Sequence, residues 1–167
     1  PLLCHVGPEH SFPEGLRNPE LDDFRSLALP LENEVTVIAA HCATPVFPVI
    51  EKNEMKVFRD FMNNFNGGGS VRLYGDTSAF SLSTRSPFLK EIRDTFPPEW
   101  LLHGTDFPIP IERRSLLPKE IRALYSHGLP GSANPLDIDV EIKQKAGFSD
   151  SILAHAERVL RLPADAR

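Results

Sequence analysis

Val35-Thr36-Val37-Ile38-Ala39-Ala40-His41 is the stretch on which the fold turns. It is a continuous apolar, β-branched run, the pattern of a strand covered on both faces, and it stops at a histidine. Downstream, Phe58, Phe61, Met62 and Phe65 fall at i, i+3, i+4 and i+7. They form one apolar stripe on a helix over 51–65, which Asn66-Gly67-Gly68-Gly69 closes, and the stripe reads as core. Val71-Arg72-Leu73-Tyr74-Gly75-Asp76 is a further strand, and Ser86-Pro87 opens a helix bearing Leu89, Ile92 and Phe96. Trp100-Leu101-Leu102-His103-Gly104-Thr105 is a strand that runs into Asp106. Upstream, Pro1-Leu2-Leu3-Cys4-His5-Val6-Gly7 reads as a buried strand with no lead-in, so the chain is expected to be part of something longer. A loop over 7–18 follows; Asn18-Pro19 then starts a helix carrying Leu21, Phe24 and Leu27, which Pro30 stops. Residues 107–148 are proline-rich and partly helical, and a last helix capped by Ser149 turns Ile152, Ala156, Val159 and Leu160 to the core.

The residues that end the strands, His5, His41, Asp76 and Asp106, recur at roughly 30–36 residues, one βα unit each. Alternating βα units imply a parallel sheet, hence an α/β fold. In barrels the C-terminal strand ends carry the active site, and open sheets bind ligands at a switch point on the same edge. Neither the dinucleotide glycine fingerprint nor a P-loop is present, which weighs against a nucleotide-binding sheet.

Composition narrows the field further. The 167 residues carry 18 basic and 23 acidic side chains, a net charge of −5, with no basic block, so no nucleic-acid partner is expected. The hydrophobic fraction of 41% suits a globular core, and no apolar run spans a bilayer, so no membrane is expected either. Two cysteines, Cys4 and Cys42, make no disulfide framework, and with no export signal a reducing cytoplasm is the expected compartment.

Two imidazoles and a carboxylate ending parallel neighbours would converge on one rim. His5, His41 and Asp106 are therefore candidate ligands for a divalent metal, zinc first. The plainer alternative is a structural hydrogen-bonding histidine and a capping aspartate. Strand alternation turns Cys4 to the helices if His5 faces the rim, whereas Cys42, just past its strand, leaves a thiol nucleophile with a histidine base open. His10 in the first loop, Asp76 at the head of Asp76-Thr77-Ser78, and Arg113 of Arg113-Arg114 are candidate substrate contacts. Asp76 reads equally as a strand-end cap, and the arginines as a solvated pair.

Pro1 to Gly7, Ile38-Ala39-Ala40-His41-Cys42, Tyr74-Gly75-Asp76-Thr77-Ser78-Ala79 and Leu102-His103-Gly104-Thr105-Asp106-Phe107-Pro108 together resemble strands five to eight of an amidohydrolase-superfamily (β/α)₈ TIM barrel. The nearest match is the amidohydrolase-related group that includes aminocarboxymuconate-semialdehyde decarboxylase, and Ala154 to Leu160 resembles that group's final helix. The resemblance implies that His5 is a metal ligand. It implies that His41 ligates a second metal, acts as base or polarises substrate, and that Asp106 is a ligand that also handles the proton of the attacking water. It further implies a metal-dependent hydrolase acting on an amide, ester or lactone bond of a small molecule. The alternatives are a non-oxidative decarboxylase at the same site and a catalytically inactive half-barrel serving as a binding or assembly module. The first-strand His-x-His pair and a fourth-strand Lys or Glu are absent, and a full barrel takes about 250 residues. Residues 1–167 are therefore expected to be the C-terminal half of one barrel domain, inactive alone, and found with the missing N-terminal half or self-associated.

Overall fold

The computed structural model describes residues 1–7, 23–109, 111 and 134–161. Four short strands, β1 (Leu2–Cys4), β2 (Val37–Ala39), β3 (Leu73–Asp76) and β4 (Leu101–Leu102), form one parallel sheet in chain order. Leu3 is opposite Ile38, Ile38 opposite Tyr74, and Asp76 opposite Leu102. The helices between and after them are α1 (Ala28–Glu32), α2 (Met55–Asn66), α3 (Leu89–Thr95), α4 (Pro135–Lys145) and α5 (Ser151–Leu160). Chain-order parallel pairing with a helix at each crossover is a βα array, an α/β arrangement consistent with part of a barrel.

Period-two alternation divides the sheet's side chains between two faces. Val37, Ala39, Leu73 and Leu101 join the main core with Phe58 and Met62 of α2 and Leu89 and Ile92 of α3. Phe58 is fully buried and meets the Phe24 ring edge-on at 5.4 Å, and Phe61 adds a tilted contact to Phe24 at 5.4 Å. Such aromatic pairs contribute about 0.5–1.5 kcal/mol each beyond their burial. Ile38, Tyr74 and Leu102 form a separate cluster on the opposite face, with Val71 and Val159 of α5 packed against it. The buried Asn66 side chain ties the end of α2 to the start of β3: it donates to Leu73 O (2.8 Å) and accepts from Arg72 N and Leu73 N.

Several local expectations need correction. The strands are shorter than their apolar runs, because Trp100 belongs to a 3₁₀ turn, Pro98–Trp100, and the Ala40–Ala43 turn takes over directly after β2. The opening strand is an edge, not buried: Leu2 and Leu3 are 41% and 65% exposed. Pro30 does not stop a helix. It lies in the first turn of α1, where its missing N–H removes no intrahelical bond, after a 3₁₀ segment, Phe24–Leu27, capped by Asp23. Asn18-Pro19 lies outside the described residues. The last helix has Asp150 at its N-cap, although Ser149 Oγ still accepts from Ser151 N at 3.2 Å. The outer edge of β4 is met by α5, where His103 N donates to Ile152 O at 3.1 Å. No helix among the described residues is long and apolar enough to cross a membrane.

Candidate active site

The site is built from the residues that follow β1 to β4 at their C-terminal ends. After β2 the chain does not continue extended. His41 (φ 61°), Cys42 (φ 51°) and Ala43 (φ 55°) are all left-handed, a conformation that costs an L-residue roughly 1–2 kcal/mol each. Such strain persists only where the surroundings over-determine it. Here Asp76 Oδ1 accepts from His41 N (2.8 Å), Thr44 donates from both N (3.0 Å) and Oγ1 (2.7 Å) to His41 O, and Cys42 Sγ donates to Asp76 O (3.2 Å). Gly75 allows this approach, since a Cβ there would lie 2.6 Å from Cys42 Sγ.

The turn aims the His41 ring. Its Nδ1 lies 2.8 Å from Ser78 Oγ and 3.1 Å from Ser78 O. Ser78 Oγ donates to Asp76 Oδ1 at 2.6 Å, and Ser78 N donates to the same oxygen at 3.1 Å. A carbonyl cannot donate, and the serine proton is committed to the carboxylate, so Nδ1 must carry the hydrogen. The chain of bonds runs from His41 Nδ1–H to Ser78 to Asp76, which leaves a lone pair on Nε2. Burial, helped by the Arg85 guanidinium, pushes His41 down to about 4 against the opposing pull of Asp76 and Asp106, so the ring is neutral at pH 7.

Nε2 faces Asp106 Oδ2 at 3.8 Å. Asp106 is also left-handed (φ 64°), which aspartate tolerates better than most residues, and its side chain is 39% exposed. The His5 ring meets the His41 ring edge-on at 5.2 Å between centroids. The structure thus brings His5, His41 and Asp106 together on one end of the sheet. Asp76 sits beneath them, with one carboxylate oxygen committed to three protein donors. His10 and Arg113 lie outside the described residues.

Whether these residues suit a divalent metal is a question of donors and spacing. Two tetrahedral zinc ligands lie about 3.3 Å apart, so a His41 Nε2–Asp106 Oδ2 gap of 3.8 Å is close to that of two donors sharing an ion. A neutral imidazole with its second nitrogen already bonded is also the form that binds metal. Yet no group of three His, Cys, Asp or Glu side chains among the described residues is placed to hold an ion. The residues fit one side of a metal site and do not complete it.

The thiol alternative fares worse. Cys42 is fully buried, and burial pushes its thiol well above the ordinary range, the opposite of a poised thiolate. Cys4 packs against the main core.

Two residues that sequence reading passed over, Asp139 and Lys143, form a buried cluster with Ser81 and His103 at the exit of β4. Asp139 and Lys143 of α4 are fully buried and joined at 2.6 Å; Lys143 Nζ also donates to Gly104 O at 2.5 Å, and Ser81 Oγ donates to Asp139 Oδ1. His103 Nε2 lies 3.7 Å from Asp139 Oδ2, and burial, with the Lys143 charge, pushes His103 down to about 4. An acid–base pair at i, i+4 gives no signal of its own: Glu141 and Lys145, two positions along, have the same spacing and lie part-exposed at 2.7 Å.

No curated protein and no solved structure matches the chain significantly. A family model does: the one described as Amidohydrolase matches residues 1–130, which include all four strands and the three converging side chains. Parallel strands in chain order, polar residues gathered at their C-terminal ends and that match place this chain in the amidohydrolase family of metal-dependent hydrolases and decarboxylases.

Proposed function

We propose that this chain is the C-terminal half, strands five to eight, of a (β/α)₈ barrel enzyme of the group that includes aminocarboxymuconate-semialdehyde decarboxylase. In this reading the intact barrel hydrolyses an amide, ester or lactone bond of a small molecule. The observation that carries it is the His41 ring, held by Ser78 and Asp76 so that a neutral Nε2 lone pair faces the Asp106 carboxylate.

His41 and Asp106, with His5 beside them, would supply one side of a divalent-metal site, zinc by donor type, completed by ligands from the other half of the barrel. Bound there, such an ion supplies hydroxide at neutral pH by lowering the pKa of water to about 7. Asp106, partly exposed and acceptor-only when ionised, orients the attacking water and takes its proton. His41 serves as ligand or proton acceptor; polarising a substrate carbonyl would need a hydrogen on Nε2, which this tautomer lacks. Asp76 and Ser78 fix that tautomer. His10 and Arg113 complete the reading as contacts for the substrate. The partner half would pair along the exposed outer edge of β1, where an unpaired strand invites addition of another.

The test is turnover by the native enzyme, isolated with whatever chain completes its barrel and loaded with zinc, on a panel of small amides, esters and lactones. Asp106→Asn keeps the size of the side chain and should lower kcat by ~10²–10⁴, the usual effect of losing a general base. Full turnover in Asp106→Asn would overturn the assignment. Release of carbon dioxide from a carboxylate substrate instead would move the same site to decarboxylation.

A further inference from the structure

Gly104, Thr105 and Asp106 leave β4 through a narrow passage. On one side a Cβ at Gly104 would lie 3.0 Å from Ser78 Cβ and 3.3 Å from Asp76 Oδ2, so the backbone runs hard against the residues that orient His41. On the other side the Lys143 ammonium reaches the Gly104 carbonyl at 2.5 Å. That ammonium comes from α4, outside the region matched by the family model. Its counter-charge, Asp139, is held in turn by Ser81, on the turn that follows β3. A single buried chain of bonds therefore joins the β3 exit, α4 and the β4 exit, two residues before Asp106.

We propose that the buried Lys143–Asp139 pair is a positioning device. It clamps the Gly104 carbonyl and so sets the left-handed backbone that carries Asp106 opposite His41. The cost of burying both charges argues for this role over plain stabilisation. Desolvation costs several kcal/mol per ion, and replacing such a pair by apolar residues of similar size is often neutral or stabilising. A buried ionic pair with several directional bonds can instead serve to fix geometry, as in some systems it does, and here each bond goes to a segment at the candidate site. Lys143 bonds this segment at the Gly104 carbonyl, and its charge also bears on Asp76 and Asp106; the clamp itself acts through the Gly104–Thr105 peptide.

The inference rests on the metal-site reading only for its consequence, and its test separates the two. In the native protein, isolated with whatever chain completes its barrel, the double variant Lys143→Met/Asp139→Leu removes both charges of the pair and leaves neither partner unmatched. It should keep the wild-type urea midpoint or exceed it, while amide hydrogen exchange at Thr105 and Asp106 speeds up at least ~10-fold relative to β2 and β3. Zinc affinity should fall by ~10–100-fold, the range typical when groups supporting a ligand are lost. A double variant with unchanged exchange at Thr105 and Asp106 overturns the clamp, whatever zinc does. A wild type that binds no zinc overturns the metal reading and leaves the exchange result to decide the clamp. Should the double variant not fold, Lys143→Met/Asp139→Asn keeps an acceptor for Ser81 while still taking the ammonium from the Gly104 carbonyl; exchange at Thr105 that stays at the wild-type rate in it also overturns the proposal.

Discussion

Replacing Asp76 by alanine probes the joint on which the candidate site depends. Oδ1 of this buried carboxylate accepts from His41 N, Ser78 N and Ser78 Oγ. The hydroxyl can rotate to another acceptor, but the two backbone donors cannot, and each buried donor left unpaired costs about 1–3 kcal/mol. Relaxation of the left-handed His41–Ala43 turn returns part of that loss. The expected net destabilisation is about 3 kcal/mol for Asp76→Ala. Asp76→Asn keeps an acceptor oxygen and loses only the charge assistance, so about 1–2 kcal/mol is expected. Trp100, the single tryptophan, lies buried at the foot of β4 and reports unfolding by fluorescence. With an m-value of about 2 kcal/mol/M in urea, the alanine variant should unfold roughly 1.5 M earlier than wild type. A shift below about 0.3 M would show that Asp76 does not hold the turn, and a substrate-facing carboxylate would then be the better description.

Acid should act through two histidines. His41 and His103 are held near 4 by burial, below the ordinary 6.5, so between those values the unfolded chain binds more protons than the folded one. Stability is therefore full above about pH 7 and falls as the pH drops from 6.5 toward 4, by up to about 1.4 kcal/mol per pH unit per histidine; a urea midpoint that stays flat across that window contradicts the assignment. Gly75→Ala, whose methyl would meet Cys42 Sγ at 2.6 Å, should cost about 1–3 kcal/mol in thermal or urea unfolding. Cys42→Ala should relieve most of it in the double variant, and an additive double variant would place the clash elsewhere.

Strand order and the rim of polar residues were legible in the sequence because both follow from periodicity. A run such as Val35 to Ala40 between helical stripes can hardly be anything but a covered parallel strand, and the residue that ends it must lie at the sheet's C-terminal edge. What happens one residue later was not legible. The left-handed turn at His41 to Ala43 depends on a carboxylate 35 positions away, and nothing local to Ala40-His41-Cys42 announces it. Strand burial was misread at Leu2 and Leu3, since an apolar run looks the same on an edge as in the middle of a sheet. Asp76 read equally well as a cap or a substrate contact, because one aspartate after a strand serves either use. Lys143 and Asp139 were invisible for the reason Glu141 and Lys145 illustrate: helical spacing pairs charges without saying which face of the helix is buried.

In the proposed site the His41 Nε2 lone pair and the Asp106 carboxylate form one side of the divalent-metal centre. Nitrogen NMR of the two imidazoles during a zinc titration of the native protein, with whatever chain completes its barrel, is the sharpest test of that arrangement. Before zinc, His41 should carry its hydrogen on Nδ1, and zinc should then move the Nε2 resonance of His41 together with that of His5. Asp106→Asn should weaken that response by about 10-fold or more. A hydrogen found on Nε2, or a zinc response at His41 that Asp106→Asn leaves untouched, would contradict it.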